Sequence, residues 1–354
     1  MTGCMTGRFR ALAGTTARLT RRTRRLPERA PVSGGYPRRS SASVAGMRLG
    51  VLDVGSNTVH LLVVDAHLGA QPTPQLSRKS VLRLAEHLDK RGDLKVEGAD
   101  ALVGAALGAR RQAKELHCDE LLAFATSAVR DARNSTEVLA RVKEESGVEL
   151  LVLTGEDEAV LTFLAVRRWF GWSAGRLLCL DIGGGSLELA VGCDEVPEIA
   201  LSVPLGAGRL TRDWLDGDPP SKQSVEELRE YVADQLAGPA KQLLAPGLPD
   251  RVVASSKTFR TLARLAGAAP SSAGPRVRRS LQINGLRQII GFISRIPAAD
   301  LAELDGVSPG RAHQTMAGAV VAEQAMLALG IPEFELSPWA LREGVILRRL
   351  DQIH

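Results

Sequence analysis

Two short loops hold the residue types most capable of chemistry. One is Asp53-Val54-Gly55-Ser56-Asn57-Thr58, the other Asp181-Ile182-Gly183-Gly184-Gly185-Ser186. Each lies between apolar runs of strand length, at 49–54 and 59–65 in the first case and 177–182 and 187–191 in the second. Each therefore reads as a hairpin whose turn carries an Asp, glycine and a hydroxyl. Glycine lets backbone approach a ligand closely, and successive N–H groups in such a turn form an anion nest. A bare phosphate would be repelled by the Asp, so the Asp suits a hard cation, bound directly or through water, that bridges to phosphate oxygens. A pair of such loops, each opening one half of the chain, points to one phosphate site with two jaws.

The elements that must position these loops come from a chain of ordinary globular composition. Its 354 residues are 44% hydrophobic, enough for two domains with real cores. No apolar stretch reaches the ~18 residues needed to span a bilayer. The net charge is +5. Residues 1–46 hold ten Arg, no Lys, no Asp and one Glu, so they carry +9 and residues 47–354 carry −4. The basic character thus belongs to the N-terminal segment. Aromatics at 4% argue against a stacking platform for single-stranded nucleic acid, and no nucleic-acid partner is expected. Cys4, Cys118, Cys179 and Cys193 form no CxxC pair and no metal-ligand spacing, as reduced cytosolic thiols would. A cytoplasmic protein follows.

Residues 1–46 show no hydrophobic period and read as a disordered Arg-rich tail. Arg21-Arg22-Thr23-Arg24-Arg25 lacks the apolar region of an export signal. The composition also suits a transit peptide, but a translation start at Met47, two residues before the first strand, is the preferred reading. From there the pattern gives β-β-β-α-β-α-β-α over 47–171. Helices fall at 97–115, from Asn134 to Glu145 with a capping-box-like Asn134/Glu137 start, and from Glu156 to Phe170; strands fall at 121–125 and 148–153. Trp169-Phe170-Gly171-Trp172 reads as packing at the junction of two halves. The second half restarts with a hairpin over 176–192. A strand follows near 200–203, helices at 222–243 and 256–266, a strand at 252–254 and a helix at 284–294. Ser308-Pro309 opens a long helix to Leu329, and Ser337-Pro338 repeats that device after a strand at 334–336. The boundaries are an N-terminal domain over 47–172 and a C-terminal domain over 173–354, with the last helix able to pack back on the first. The whole is a duplicated α/β fold with a ligand cleft between its halves.

Five motifs follow in order. They are the 53–58 loop, Ala125-Thr126-Ser127-Ala128-Val129-Arg130-Asp131-Ala132, Thr154-Gly155-Glu156-Asp157-Glu158-Ala159, Asp181-Ile182-Gly183-Gly184-Gly185-Ser186-Leu187-Glu188, and Pro204-Leu205-Gly206-Ala207-Gly208-Arg209-Leu210. Ala340-Leu341-Arg342-Glu343-Gly344 closes the series. In type, order and spacing the chain resembles the exopolyphosphatase / guanosine pentaphosphate phosphohydrolase (Ppx/GppA) family over nearly all of 47–350, above all its short actinobacterial-type exopolyphosphatases. The resemblance implies two ribonuclease-H-like domains of the actin-like ATPase superfamily around a cleft, and a homodimer. It implies hydrolysis of terminal phosphoanhydride bonds of inorganic polyphosphate, aided by Mg2+ or Mn2+.

It also implies roles. Glu158 aligns with an acidic position that orients or deprotonates water; taken alone, an acidic residue there equally suits the helix dipole. Glu156 can share that task. Asp53 and Asp181 would hold the metal across the cleft, with Glu188 behind them or simply facing outward on its strand. Gly55, Ser56, Asn57, Thr58, Ser127, Gly183, Gly184, Gly185 and Ser186 would contact phosphate. The fork of Arg130 suits a phosphate clamp, and Lys257 opens a helix at a plausible anion site. Many members have Glu where this chain has Ser127, which can only bind or orient, so Glu156–Glu158 is the remaining carboxylate source. Ser255-Ser256-Lys257-Thr258 stands where relatives are glycine-rich, which narrows any nucleotide-base pocket. Arg276, Arg278 and Arg279 read as a solvated charge run. Hydrolysis of guanosine pentaphosphate, a polyphosphate-binding regulator with little turnover, and a sugar-kinase-like transferase remain the alternatives.

Overall fold

A computed structural model of the chain describes residues 46–352 apart from Leu68 and Ala70. The expectations for the Arg-rich N-terminal segment lie outside the described residues.

Two sheets carry the molecule. The first comprises β1 (Met47–Val54), β2 (Thr58–Ala66), β3 (Pro74–Val81), β4 (Glu120–Ala125) and β5 (Leu151–Val152), in the order β3-β2-β1-β4-β5. The second comprises β6 (Leu177–Ile182), β7 (Leu187–Gly192), β8 (Ile199–Val203), β9 (Arg251–Ser255), β10 (Ser280–Gln282) and β11 (Glu333–Leu336), in the order β10-β11-β9-β6-β7-β8. In both, a hairpin and a third antiparallel strand are followed by parallel strands on the other side of the first strand. The order β3-β2-β1-β4-β5 thus recurs as β8-β7-β6-β9-β11, with β10 added at the edge. The duplicated α/β fold is present.

The helices are α1 (Val96–Glu115), α2 (Ser127–Arg130), α3 (Ser135–Ser146), α4 (Gly155–Phe170), α5 (Ala207–Trp214), α6 (Lys222–Leu244), α7 (Ser256–Leu265), α8 (Ile283–Ile293), α9 (Ala298–Ala302), α10 (Thr315–Leu329) and α11 (Leu341–Leu350). Central strands are covered on both faces, which is why they read as nearly unbroken apolar runs. Strand parity assigns the faces. On β1, Leu52 and Val54 join the core under α1 and α3, whereas Leu49 and Val51 join the core that includes Leu164 and Ala165 of α4 and Ile346, Leu347 and Leu350 of α11. On β6, Leu178, Leu180 and Ile182 face α6 and α10, whereas Leu177 and Cys179 face Ala159, Phe163 and Val166 of α4. So α4 packs one side on each sheet, and α11 rests on the first-sheet side.

Several local expectations change. Strand pairing at 148–153 shrinks to Leu151–Val152. Asn134 does not cap α3 with its side chain, because its amide bonds both the N–H and the C=O of Leu94 at 2.8 and 3.0 Å. The capping box lies instead at α4, where the Thr154 hydroxyl accepts from Asp157 N–H at 3.0 Å and Asp157 accepts from Thr154 N–H at 3.2 Å. Pro309 opens a 3-10 turn to Gln314 before α10 begins. Ser337 does not cap α11. Its hydroxyl is spent on the backbone of Trp339, and the helix starts after Ala340. Trp169 meets Trp339 edge-on at 5.2 Å, while Trp172 is 65% exposed. The short helices α2 and α5 escape a pattern search because one or two turns show too little period.

Helix α11 lies backbone-close to α4: a Cβ placed on Gly344 would come within 1.9 Å of the Leu161 carbonyl oxygen. Alanine in a helix interior is favoured over glycine by about 1 kcal/mol, but overpacking against immobile backbone costs more, about 1–3 kcal/mol. Gly344→Ala is therefore expected to destabilise by about 1 kcal/mol net, read as a lowered urea midpoint with unchanged m. An unchanged or raised midpoint would contradict that packing.

Candidate active site

The parity that packs α4 also aims carboxylates at its N-terminus. Asp53 shares the β1 face of Leu49 and Val51, and Asp181 shares the β6 face of Leu177 and Cys179. Glu188, directly opposite Asp181 on β7, shares that face. Glu158 lies in the first turn of α4 itself. Four carboxylates thus converge where both Asp/Gly loops meet the helix. The two loops close alike, Gly55 N–H donating to Thr58 O at 3.0 Å and Gly183 N–H to Ser186 O at 2.9 Å. Those two N–H groups are consumed by the turns, a correction to the expected phosphate donors. Asp53, Gly55, Ser56, Asn57, Thr58, Asp181, Gly183, Gly184 and Glu158 line one cleft of about 860 Å³.

Burial dominates the titration of this floor. It pushes Asp53 up against the pull of Arg342, whose Nε lies 3.9 Å from the carboxylate. It pushes Asp181 up to about 6 although Ser255 Oγ donates to it. Glu158 and Glu188 are 7% and 5% exposed, and burial raises both. The charge of Glu188 raises Glu158 further, and Arg130 acts the other way. Glu188 is steadied by the Ser186 hydroxyl and by Ser202 Oγ at 3.1 Å.

The cleft also holds cations: Lys79, Lys257, Arg260, Arg311 and Arg342 line it beside the carboxylates. Burial lowers Lys79, Lys257 and Arg311, and mutual repulsion with Arg260 adds to it. Lys257 also donates to Gly306 O at 3.0 Å. Of these residues sequence reasoning named only Lys257. Arg260 and Arg264 follow it at helical spacing, a basic stripe the sequence does show. Lys79 arrives through strand register, since His60 pairs with both Asp53 and Lys79, and Arg311 through a distant 3-10 turn. Arg279 reaches the cleft rim, but its guanidinium is taken by the carbonyls of Ala269, Pro270, Gly274 and Val277.

Other expected site residues lie elsewhere. Glu156 is exposed and outside the cleft lining, because two residues along a helix turn a side chain to the far side. Arg130 does not line the cleft either. Its guanidinium bonds Glu158, the Leu153 carbonyl at 3.1 Å and Asp131 at 3.1 Å. Asp131 in turn pairs with Arg209, whose Nε donates to Gly185 O at 2.9 Å. The Asn57 amide is committed to Gln314 by a reciprocal pair of 3.1 Å bonds. Ser186 serves Glu188 rather than the cleft. Ser127 stands behind Ser56, its Oγ 2.9 Å from that of Ser56, and lines a second cavity with Gly185. Ser256 holds φ +87° and lines the cleft. It keeps a backbone shape that costs a non-glycine residue about 1–3 kcal/mol, strain of the kind that collects at functional sites.

Among the described residues, no group of three or more His, Cys, Asp or Glu could hold a metal ion by itself. Asp53 and Asp181 nonetheless fit a hard divalent cation, whose usual ligand set is one or two carboxylates completed by water and substrate phosphate. Both present oxygen donors into the cleft, and burial leaves their charge unsatisfied.

Two sheets of repeated topology, closing on a cleft that holds carboxylates and cations together, define a duplicated α/β phosphoryl-handling protein. Residues 63–353 match the Ppx/GppA phosphatase family, so the chain belongs to that family. It is 63% identical over 305 residues to a protein named Exopolyphosphatase 1 in Mycobacterium tuberculosis, covering 86% of this chain and 89% of that one. It is 60% identical to the Mycobacterium leprae protein of the same name, covering 86% and 90%. Among solved structures, the Ppx/GppA enzyme of Aquifex aeolicus matches with a TM-score of 0.72 at 25% identity, covering 86% of this chain and 99% of that one. An exopolyphosphatase from Cytophaga hutchinsonii shares the fold with a TM-score of 0.79 at 24% identity, covering 87% and 99%.

A carboxylate whose folded pKa is raised holds a proton that the unfolded chain releases above about pH 4.3. Its contribution to stability is complete below that pH and is lost as pH rises through the folded value. Glu188→Gln keeps the Ser202 bond and removes that loss. In metal-free buffer its Tm relative to the parent is expected to be higher at pH 9 than at pH 5 by roughly 3 °C. A pH-independent difference would show that Glu188 is not buried against its charge.

Proposed function

We propose that the chain is an exopolyphosphatase that releases orthophosphate from the ends of inorganic polyphosphate. The observation that carries this is the cleft itself. Glu158 stands on the floor between two phosphate loops, with cations beside it and no aromatic residue in the lining among the described residues. A repeating polyanion matches those cations along its length. A nucleobase would find no ring to stack on.

The terminal phosphate sits between the Ser56–Asn57 and Gly184–Gly185 backbones, whose N–H groups are not consumed by the turns. Glu158, as the carboxylate, accepts a proton from a water aligned with the scissile bond. The water oxygen bonds to phosphorus as the bridging P–O bond breaks, and the departing chain end keeps the electron pair. Lys79, Lys257, Arg260 and Arg311 stabilise that charge, so positioning and electrostatics do most of the catalysis. Arg130 holds Glu158 in place and favours its ionised form. A Mg2+ or Mn2+ ion held by Asp53 and Asp181 would neutralise charge on the phosphate oxygens. Work in the cytoplasm, a homodimeric state and the lack of a nucleic-acid partner belong to the same proposal. Separately, no helix among the described residues is long and apolar enough to cross a membrane.

Purified protein is expected to release phosphate from polyphosphate in the presence of Mg2+ or Mn2+, with a higher kcat/KM than on guanosine pentaphosphate. Glu158→Gln should lower kcat by about 10²–10⁴-fold with binding retained. No release by the parent protein, or full turnover by the variant, would refute the assignment. A second expectation concerns pH. Activity should climb as Glu158 ionises, and Arg130→Met, which removes the group that favours ionisation, should move that limb to higher pH. A limb that stays in place would remove Arg130 from this role.

A further inference from the structure

A second cavity, of about 580 Å³, lies on the other side of the loop tips. Ser56 and Gly184 line both this cavity and the cleft, so the loops themselves form the partition. The partition is closed in this structure: two glycines press against the Ser56–Ser127 hydroxyl pair, which is 2.9 Å apart, so a phosphate crosses only when that contact opens. A Cβ on Gly184 would lie 2.8 Å from the Ser56 Cβ, and one on Gly185 would lie 2.6 Å from the Ser127 Oγ. Hydroxyls and bare backbone exchange hydrogen bonds readily with a phosphate oxyanion, and apolar side chains would not.

The far side carries charge of both signs. Arg209 and Arg212 line it but are paired with Asp131 and Asp213, and Asp89 lines it with its carboxylate accepting from the backbone N–H groups of Arg91 and Asp93. Lys90 and Arg91 stand exposed at its rim and make no ion pair among the described residues. The cleft side poses the complementary problem. If, as proposed above, a polyphosphate occupies it, the shortened chain still lies along Lys79, Lys257, Arg260 and Arg311 when the terminal bond breaks. That chain blocks the way back for the freed phosphate.

We infer that the orthophosphate freed at the loop tips crosses the Ser56–Ser127 partition and leaves through the second cavity, past Lys90 and Arg91. The inference rests on the exopolyphosphatase reading. It makes a demand on chain length that the reading alone does not. A short substrate vacates the cleft after one cleavage and lets the product out behind it. A long one does not.

The test is to plug the second cavity. Ala85 and Leu88 line it and are absent from the cleft. The Ala85 N–H donates to Ser56 O at 3.1 Å, a bond that a larger side chain at 85 leaves in the backbone. Ala85→Phe and, independently, Leu88→Trp are assayed on long-chain polyphosphate and on tripolyphosphate, with rapid-quench measurement of the first turnover. The expected result on the long chain is a burst of one phosphate per active site and then a steady rate lowered about tenfold, because product release becomes limiting. On tripolyphosphate the steady rate should stay within about twofold of the parent. Equal losses on both substrates, or an unchanged long-chain rate in variants folded by circular dichroism, overturn the exit route. If the parent protein releases phosphate from neither substrate, the exopolyphosphatase reading fails instead.

Discussion

Asp53, Glu158, Asp181 and Glu188 are gathered at one end of one helix, and that crowding sets the terms for the rest of the molecule. Desolvating a carboxylate without a counter-charge costs several kcal/mol, and like charges close together raise each other's pKa. The chain offsets part of this with the N-terminal dipole of α4, with Arg130 on Glu158, with Arg342 near Asp53, and with hydroxyls of Ser186, Ser202 and Ser255. The remainder is left unsatisfied. In the same cleft, Lys79, Lys257 and Arg311 have the converse problem, with burial and mutual repulsion weakening their hold on protons. A ligand that relieves both at once must carry cationic charge toward the carboxylates and anionic charge toward the Lys and Arg side chains. Phosphate with a divalent cation does that, and a phosphate chain continues it along those side chains.

Placing the carboxylates together falls to α4. Because it packs one side on each sheet, the facing residues of β1, β6 and β7 all point to it. The apolar members of those faces make the core, and the last positions before the turns become the floor. Helix α11 completes the arrangement from the end of the chain. Its apolar side joins the first-sheet core through Ile346, Leu347 and Leu350, and its first turn delivers Arg342 to Asp53. Core and site are thus two ends of the same packing. A shift of α11 on α4 would move a charge at the floor as well as open a cavity.

What the sequence made legible follows from range. The hairpins were readable because strand period and turn chemistry are local, and their likeness to each other exposed the duplication. Glu158 was different. Acidic residues at helix starts are ordinary, and only the ordered motifs of a family set it apart. Strand pairing then decided what no local pattern could: that Lys79 shares a row with Asp53, and that Glu188 sits beside Asp181. Gln314 comes from a turn 257 residues away from the Asn57 it bonds, and Arg311 of the same turn reaches the cleft. The fork of Arg130 was legible as an anion binder but not as the partner of a carboxylate, since a salt bridge between residues 28 apart needs the fold to be known.

That salt bridge also explains why the two halves act as one site. From Glu158 the contacts run to Arg130, to Asp131, on to Arg209 beside the second cavity, and to the carbonyl of Gly185 in the second loop. Asn57 in the first loop is held to Gln314 of the second half by two further bonds. In the proposed hydrolysis, Glu158 and the N–H groups of the loops must stay in register, since small misplacements cost large factors in rate. Rigid packing alone cannot secure that register, because the carboxylate is on α4 and the donors are on loops of two different sheets. Charge-assisted bonds that join the carboxylate of one half to the loop of the other through Arg130, Asp131 and Arg209 reduce the intervening slack. The catalytic distance then depends on a few short links rather than on the accumulated tolerance of two cores.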